Sequence, residues 1–199
     1  MREPSLDRWL RLLRSTATFV QIAALCLSVA LFVIALIPGS PVRLPLPTSL
    51  LTGTDGIGGT ASGVVVDHGG RIVFEIEDAS LGQRLLHAAI TIPSLLLVAE
   101  IARRLAGLLR AAVDHDPFIP RTAHDLNTVA KITALGGIAA WAIASGAAAA
   151  LSATMLASGT AVEPHGSPLG WLAVALIFAA FARLIERGVG MRAELDTVV

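Results

Sequence analysis

The sequence has few charged residues for its length. Charged side chains make up 15% of the 199 residues, well below the roughly 25% that is usual in soluble globular proteins. Hydrophobic residues make up 54% of the chain. This balance argues against a water-soluble core and favours a protein that is embedded in a membrane.

The chain also lacks an excess of either charge and has almost no cysteine. Lysine and arginine total 15, as do aspartate and glutamate, so neither direct nucleic-acid binding nor an acidic tail is expected. Cys26 is the single cysteine and lies in an apolar run. It excludes an intrachain disulfide and a metal site built from several cysteines.

Motifs of catalysis are missing too. The chain contains no glycine-rich phosphate loop, no nucleophile elbow and no His-Glu-x-x-His motif. Residue types that bind metals occur at Asp114, His115, Asp116, His124 and Asp125, but their spacing fits helix caps and turns better than a metal site. The sequence therefore predicts no enzyme, no catalytic residue, no cofactor and no metal site.

Four apolar segments are long enough to be transmembrane helices. They cover residues 16–37, 85–102, 132–156 and 169–185, and at about 1.5 Å per residue each approaches or exceeds the roughly 30 Å of a hydrocarbon core. The fourth is the shortest and contains Arg183. Trp171, near its start, is expected to lie at the membrane interface. The predicted fold is an all-α membrane protein with four spans in a single membrane domain, residues 1–199.

The basic residues predict the direction of these spans. Twelve of the 15 lysines and arginines fall before the first span, between the second and third spans, or in and after the fourth span. Basic residues accumulate in cytoplasmic loops, so both termini are expected in the cytoplasm and the protein in the cell membrane as a multi-pass protein. Residues 38–84 then form an outer loop, residues 103–131 a cytoplasmic loop, and residues 186–199 a cytoplasmic tail.

The outer loop contains a pattern that is typical of a β-hairpin. Residues 63–67 and 71–77 flank the sequence His68-Gly69-Gly70, and Ile72, Phe74 and Ile76 alternate with a second set that includes Arg71, Glu75 and Glu77. A lone hairpin is marginally stable in water. We therefore expect its apolar face to cover the outer ends of the helices or a second copy of itself, as a packing lid or, alternatively, as part of a ligand site.

The cytoplasmic loop is predicted to be a helical hairpin. Residues 103–113 continue the second span as an amphipathic helix, and the break at residues 114–120 contains two prolines. Thr122 and Asp125 resemble a capping box, which predicts a new helix that runs through Lys131 into the third span.

A stripe of small residues marks the third span. Its members, spaced four apart, are Gly136, Ala140, Ala144, Ala148 and Ser152. Small residues at this spacing let helix backbones approach closely in a bilayer. The stripe predicts helix packing within the protein or, alternatively, the seam of a homo-oligomer.

Glu100 is the sharpest ionisable candidate within a span. Acids inside spans are often parts of ion or proton pathways. Arg103 and Arg104 follow three and four residues later, at helical spacing. The sequence favours an ion pair near the membrane boundary over a transport carboxylate.

Two short segments resemble a known family. They are Asp116-Pro117-Phe118-Ile119-Pro120-Arg121, before the third span, and Glu186-Arg187-Gly188-Val189-Gly190-Met191-Arg192-Ala193-Glu194-Leu195-Asp196-Thr197-Val198, in the tail. They resemble the bacterial family catalogued as domain of unknown function 2975, whose members have four spans and an outer loop after the first. The resemblance implies no activity, but genes of the family often neighbour a small helix-turn-helix regulator.

The resemblance makes a membrane-anchored regulatory or sensing partner of a small cytoplasmic DNA-binding protein the leading functional hypothesis. The expected partner-binding residues are Asp116, Pro117, Phe118, Arg121, Arg187, Arg192, Glu194 and Asp196. Simple anchoring by juxtamembrane basic residues would explain the same charges. Two other functions remain open: a component of a small-solute or ion transporter or channel, and a structural membrane protein that dimerises through span three. Besides the lipid bilayer, the expected partners are the helix-turn-helix regulator and a second copy of the chain.

Overall fold

The computed structural model describes residues 4–47, 71–76, 78–114, 120–155 and 166–196. Four helices dominate this part of the chain: α1 (Pro4–Leu36), α2 (Leu81–Asp114), α3 (Pro120–Met155) and α4 (Leu169–Asp196). Two strands, β1 (Val42–Pro47) and β2 (Arg71–Ile76), lie between α1 and α2 along the chain. All four helices are long and apolar enough to cross a membrane. A mostly helical fold, with four helices able to span a membrane and a small antiparallel sheet, is thus confirmed.

The helices pack in chain order, α1 on α2, α2 on α3 and α3 on α4. At one end, which we call the sheet end, the end of α1, the strands, the start of α2 and the end of α3 lie together. There Gln83 Nε2 donates a hydrogen bond to Thr154 Oγ1 at 3.1 Å. We call the other end, with the start of α1, the end of α2, the start of α3 and the end of α4, the terminus end.

Large apolar side chains cover the outer helices. Phe19 and Val29 of α1 and Leu176 and Leu184 of α4 are among many that are exposed. Such helices are apolar all round, which is typical of segments that face lipid. The buried residues lie mainly on α2 and α3, where they contact each other.

The small-residue stripe of α3 faces α2 and β1. Ala140, Ala144, Ala148 and Ser152 are buried, and a Cβ added to Gly136 would lie 2.6 Å from Cδ1 of Leu97 on α2. Ala144 and Ala148 pack in one cluster with Val42, Leu44, Ile90 and Leu151. This face of α3 is therefore occupied within the chain, which leaves little of it for the seam of a homo-oligomer.

The sheet differs from the hairpin that the sequence predicts. β2 covers almost all of the expected second strand, but it pairs with β1, antiparallel, with Val42 opposite Ile76 and Pro47 opposite Arg71. The predicted first strand, residues 63–67, lies outside the described residues. Arg43 and Glu75, on opposite strands, form an ion pair at 3.0 Å. Val42 and Leu44 are buried against α2 and α3, so one face of the sheet covers the ends of these helices, as expected.

The helical hairpin between the second and third spans is confirmed. α2 continues unbroken through Pro93 to Asp114, and α3 runs through Lys131. The predicted helix start at Thr122 is wrong by two residues. α3 begins at Pro120, because a proline in the first helical position loses no hydrogen bond and has the φ angle of a helix. Residues 115–119 lie outside the described residues.

A capping box that the sequence analysis overlooked starts α2. The Ser80 backbone N–H donates to Gln83 Oε1 at 2.9 Å, and the Gln83 N–H donates to Ser80 Oγ at 3.3 Å. This reciprocal pair satisfies two backbone donors that a helix start leaves without partners. It fixes where α2 begins beneath the sheet.

α4 is shifted along α3 toward the terminus end. Trp171, in the first turn of α4, packs on Gly137 at the middle of α3. Trp141 Nε1 donates a hydrogen bond to the carbonyl of Gly166, just before α4, at 3.3 Å. Trp171 is half-buried in a cluster with Leu97 and Val129, so it packs between helices; its position relative to a membrane interface stays a prediction.

Candidate functional site

A cavity of about 480 Å³ lies between α2 and α3 at the terminus end. α2 contributes Arg104, Gly107, Leu108 and Ala111 to its lining, and α3 contributes Arg121, Thr122, Asp125 and Val129. These positions recur every three or four residues on each helix, so they form one face of α2 and one face of α3. Its lining is mixed: Leu108, Ala111 and Val129 are apolar, and Arg104, Arg121 and Asp125 are charged.

An ion-paired triad lies beside the cavity on α2. Arg103 donates from Nε and Nη2 to the two carboxylate oxygens of Glu100, both at 2.8 Å, and Arg104 Nε donates to Oε1 at 2.6 Å. The prediction that Glu100 forms a local ion pair is confirmed. Because both arginines share a single carboxylate, the triad keeps a net positive charge next to the cavity.

Arg121 provides a second cation at the rim. Its side chain is 86% exposed, and its Nε lies 3.9 Å from Asp125 Oδ2. A pair at this distance between exposed side chains contributes little to stability, about 0–1 kcal/mol. The guanidinium is therefore available for a stronger contact with an external acid.

α4 brings further charge to the same end. Arg121 precedes Gly137 by as many residues as Arg187 follows Trp171, and since Gly137 and Trp171 are in contact, these arginines lie at similar heights on antiparallel helices. Arg187 is exposed, and Arg183 pairs with Glu186 at 3.0 Å. Beyond Arg187, α4 continues to Asp196, which at about 1.5 Å per residue projects it roughly 13 Å past the start of α3.

The predicted partner-binding residues fall into three groups. Arg121 and Arg187 are exposed at the terminus end. Arg192, Glu194 and Asp196 lie in the helical backbone of α4, with side chains outside the described part of the structure, and Asp116, Pro117 and Phe118 lie outside it entirely. The sequence analysis missed the cavity residues Arg104, Leu108, Thr122 and Val129. Their helical spacing on either side of the break could have indicated two facing surfaces.

The described residues offer no arrangement for metal chemistry. Across the ranges that the structure describes, no group of three or more histidine, cysteine, aspartate or glutamate side chains is close enough to hold a metal ion. His124 and Asp125 lie one after the other on α3, and Asp125 is directed to Arg121. What the site at the terminus end can do is bind: it combines a cavity of mixed lining, exposed cations and a projecting helix.

Comparisons with models of protein families, with curated proteins and with solved structures found no match to this chain. The resemblance to the family of domain of unknown function 2975 therefore stays a prediction that rests on its two short motifs.

Proposed function

We propose that this protein is a membrane-anchored regulatory or sensing partner of a small cytoplasmic DNA-binding protein, which docks at the terminus end. The observation that carries the proposal is the cavity between α2 and α3, about 480 Å³ in volume and rimmed by Arg121. The proposal takes the terminus end to be cytoplasmic, as the distribution of basic residues predicts.

The cavity has room for several side chains from a partner helix. Protein interfaces combine an apolar centre, which holds one or two anchoring side chains, with a polar rim. Leu108 and Val129 supply apolar lining, and Arg121 and Asp125 supply charged groups. A groove between two helices is a common receptor for an amphipathic helix of a partner.

The charge at the terminus end indicates the chemistry of that partner. Arg110, Arg121 and Arg187 are exposed there, and the triad around Glu100 adds a net positive charge. A partner helix with an apolar anchor and flanking acidic residues would complement this surface, because opposite potentials favour encounter and fix orientation.

The other functions considered from the sequence gain no support from the described residues. Glu100 is held by two arginines on its own helix and does not stand alone at mid-depth, where transport carboxylates are usually found. The small-residue stripe that could have formed a dimer seam is covered by α2 and β1.

The proposal is tested by co-purification of the protein, in mild detergent, with any small helix-turn-helix regulator whose gene neighbours its own. We expect a stoichiometric complex with the wild type. Arg121→Glu is expected to weaken the complex about tenfold or more, because charge reversal turns an attractive rim contact into a repulsive one. Arg43→Glu is the matched control, since Arg43 is also exposed and ion-paired but lies at the sheet end.

A second variant examines the projecting helix. Deletion of residues 191–199 is expected to leave membrane insertion unchanged and to remove the regulator from the purified protein. Unchanged co-purification of both variants would reject docking at this end. Substrate-dependent flux in proteoliposomes that Glu100→Gln abolishes would favour transport instead.

A further inference from the structure

Arg84 is a buried cation at the sheet end of the molecule. It lies in the first turns of α2, is only 8% exposed, and its Nη1 donates a hydrogen bond to the carbonyl of Ile37. That carbonyl follows the last residue of α1, where the partial negative charge of the helix favours a cation. Ser40 binds the same carbonyl through its hydroxyl at 3.1 Å. One edge of the guanidinium therefore caps α1.

The capping contact satisfies Nη1 of Arg84 and leaves the other guanidinium nitrogens to be accounted for. Arg84 Nε is buried and has no hydrogen-bond partner within the described ranges. None of the ion pairs among the described residues includes Arg84 either. A buried charge without a counter-ion is costly. A guanidinium binds carboxylate or phosphate groups through charge-assisted hydrogen bonds, so an oxyanion is the ligand whose charge complements that of Arg84.

Arg84 also lines a cavity of about 120 Å³ between α1 and α2, next to β1. His87 and Thr91 lie on the same face of α2, three and seven residues further on, and add polar groups. Leu31 and Ile34 of α1 form an apolar wall, and Ser40 completes the polar side. An engineered cavity of about 150 Å³ accommodates benzene, so this one has room for a single phosphate or carboxylate group.

We propose that this cavity binds one oxyanion, a phosphate or carboxylate group, through Arg84, with His87 and Thr91 as further polar contacts. The ligand supplies the counter-charge that the described residues do not give to Arg84. The site belongs to the sheet end and does not depend on the partner proposed for the terminus end. Its oxyanion comes from a free solute or from the headgroup of a lipid whose chain extends along Leu31 and Ile34.

The test uses delipidated protein in mild detergent. One arm measures the shift of the unfolding temperature with inorganic phosphate against chloride at equal ionic strength. The other arm measures, by native mass spectrometry, how much phosphatidylglycerol and phosphatidylcholine the protein retains from mixed nanodiscs. Stabilisation by phosphate identifies a free oxyanion as a ligand, and retained lipid identifies a headgroup. Either result supports the site if Arg84→Gln and Thr91→Leu reduce the stabilisation or the lipid retention.

Two variants and one control make the test specific. Arg84→Gln removes the cation and is expected to lower binding at least about tenfold, as the loss of charge-assisted hydrogen bonds predicts. Thr91→Leu keeps Arg84 and its bond to Ile37 but replaces a polar contact with a bulkier apolar side chain at the cavity wall, so it is expected to weaken binding while the protein remains folded. Arg43→Gln, exposed at the same end, is expected to bind as the wild type does.

Three results would overturn the proposal. The first is the absence of any shift with phosphate together with the absence of retained lipid, as expected if a carboxylate of the chain already neutralises Arg84. The second is binding that Thr91→Leu leaves unchanged, which would mean an adventitious ion only. The third is equal loss in Arg43→Gln, which would mean that the charge of the whole end is responsible.

Discussion

At the scale of single residues, two neighbouring glycines of α3 have different roles. Gly136 faces Leu97, whose flexible side-chain end can move, whereas Gly137 faces Trp171. A Cβ added at Gly137 would lie 2.6 Å from Cγ of that ring and would also overlap its Cβ. Neither atom can shift without moving the backbone or the ring of Trp171. Gly137 is therefore the residue that permits the close approach of α3 and α4.

We expect Gly137→Ala to destabilise the packing of α4 on α3. Overpacking of this kind typically costs about 1–3 kcal/mol. The measurement is the unfolding temperature in mild detergent, together with the tryptophan fluorescence, to which Trp171 contributes and which would change with its surroundings.

Gly146→Ala is the matched control for this substitution. Gly146 lies on the same helix, and an added Cβ would meet nothing within 4 Å. Alanine is favoured over glycine in a helix by up to about 1 kcal/mol, so this variant should be neutral or slightly more stable. Equal losses in both variants would show that α3 tolerates no alanine in place of glycine, whatever the contact.

At the same scale, the sequence predicted those interactions that are local along the chain. Glu100 and its two arginines are one helical turn apart, so their pairing follows from spacing alone. The contact of Trp171 with Gly137 and the burial of Arg84 depend on how separate helices meet. From the sequence, Trp171 resembles an interfacial aromatic residue, and Arg84 is only one of three basic residues on the sparsely charged side.

At the scale of elements, the sequence predicts the four helices and one of the two strands, β2. Each helix contains a long apolar run, and the extension of α2 and α3 beyond the spans continues a helical pattern. β2 shows the alternation of a strand. β1 does not read as a strand because it contains Pro45 and Pro47, and proline normally argues against a paired strand. In a sheet of two strands both strands are edges, where proline is tolerated.

The choice of partner strand also could not be read from local sequence. Alternation tells which face of β2 is apolar, but any nearby extended segment could pair with it. Burial selects β1 as the partner of β2, because Val42 and Leu44 of β1 pack against Ile90 and Leu151. Pairing with β1 thereby fastens the sheet to the ends of α2 and α3.

Val42→Ala is expected to loosen the sheet from the helices. Val42 is 2% exposed, and loss of its two methyl groups should cost about 2 kcal/mol in transfer and cavity terms. Hydrogen exchange of the backbone amides of β1 and β2 provides the measurement, since a loosened sheet exchanges faster.

Val73→Ala is the control for Val42→Ala. Val73 lies on β2 and is 58% exposed, so the same change removes almost no packing. If both variants speed exchange equally, the strands are held by their own pairing and the contact with the helices contributes nothing.

At the scale of the whole molecule, the helices form a row in which each contacts its neighbours in the chain. α2 and α3 are central, and they carry both the cavity at the terminus end and the contacts with the sheet. α1 and α4 are peripheral and apolar on their outer surfaces. The two proposed sites lie at opposite ends of α2, so a membrane crossed by this helix would separate them.

The position of α4 raises the question of whether this helix crosses the membrane. The side on which the C terminus lies answers it. α4 starts beside the middle of α3, so it reaches less far toward the sheet end than α1, α2 and α3 do. Its 23-residue apolar segment, Leu169–Met191, is nevertheless long enough to cross a bilayer. If it crosses, the C terminus lies on the same side as the N terminus and as the connection between α2 and α3.

We expect fusions of green fluorescent protein after Val199 and within residues 115–119 to fluoresce, because green fluorescent protein matures in the cytoplasm. Fusions of alkaline phosphatase within residues 48–70 and within residues 156–165 should be active, because alkaline phosphatase folds only outside the cytoplasm. The physical basis is the twelve-to-three division of lysine and arginine between the two sides. Active phosphatase after Val199, with the other fusions as expected, would place α4 on one side of the membrane. The tail would then be separated from the cavity between α2 and α3, and docking across both would be impossible.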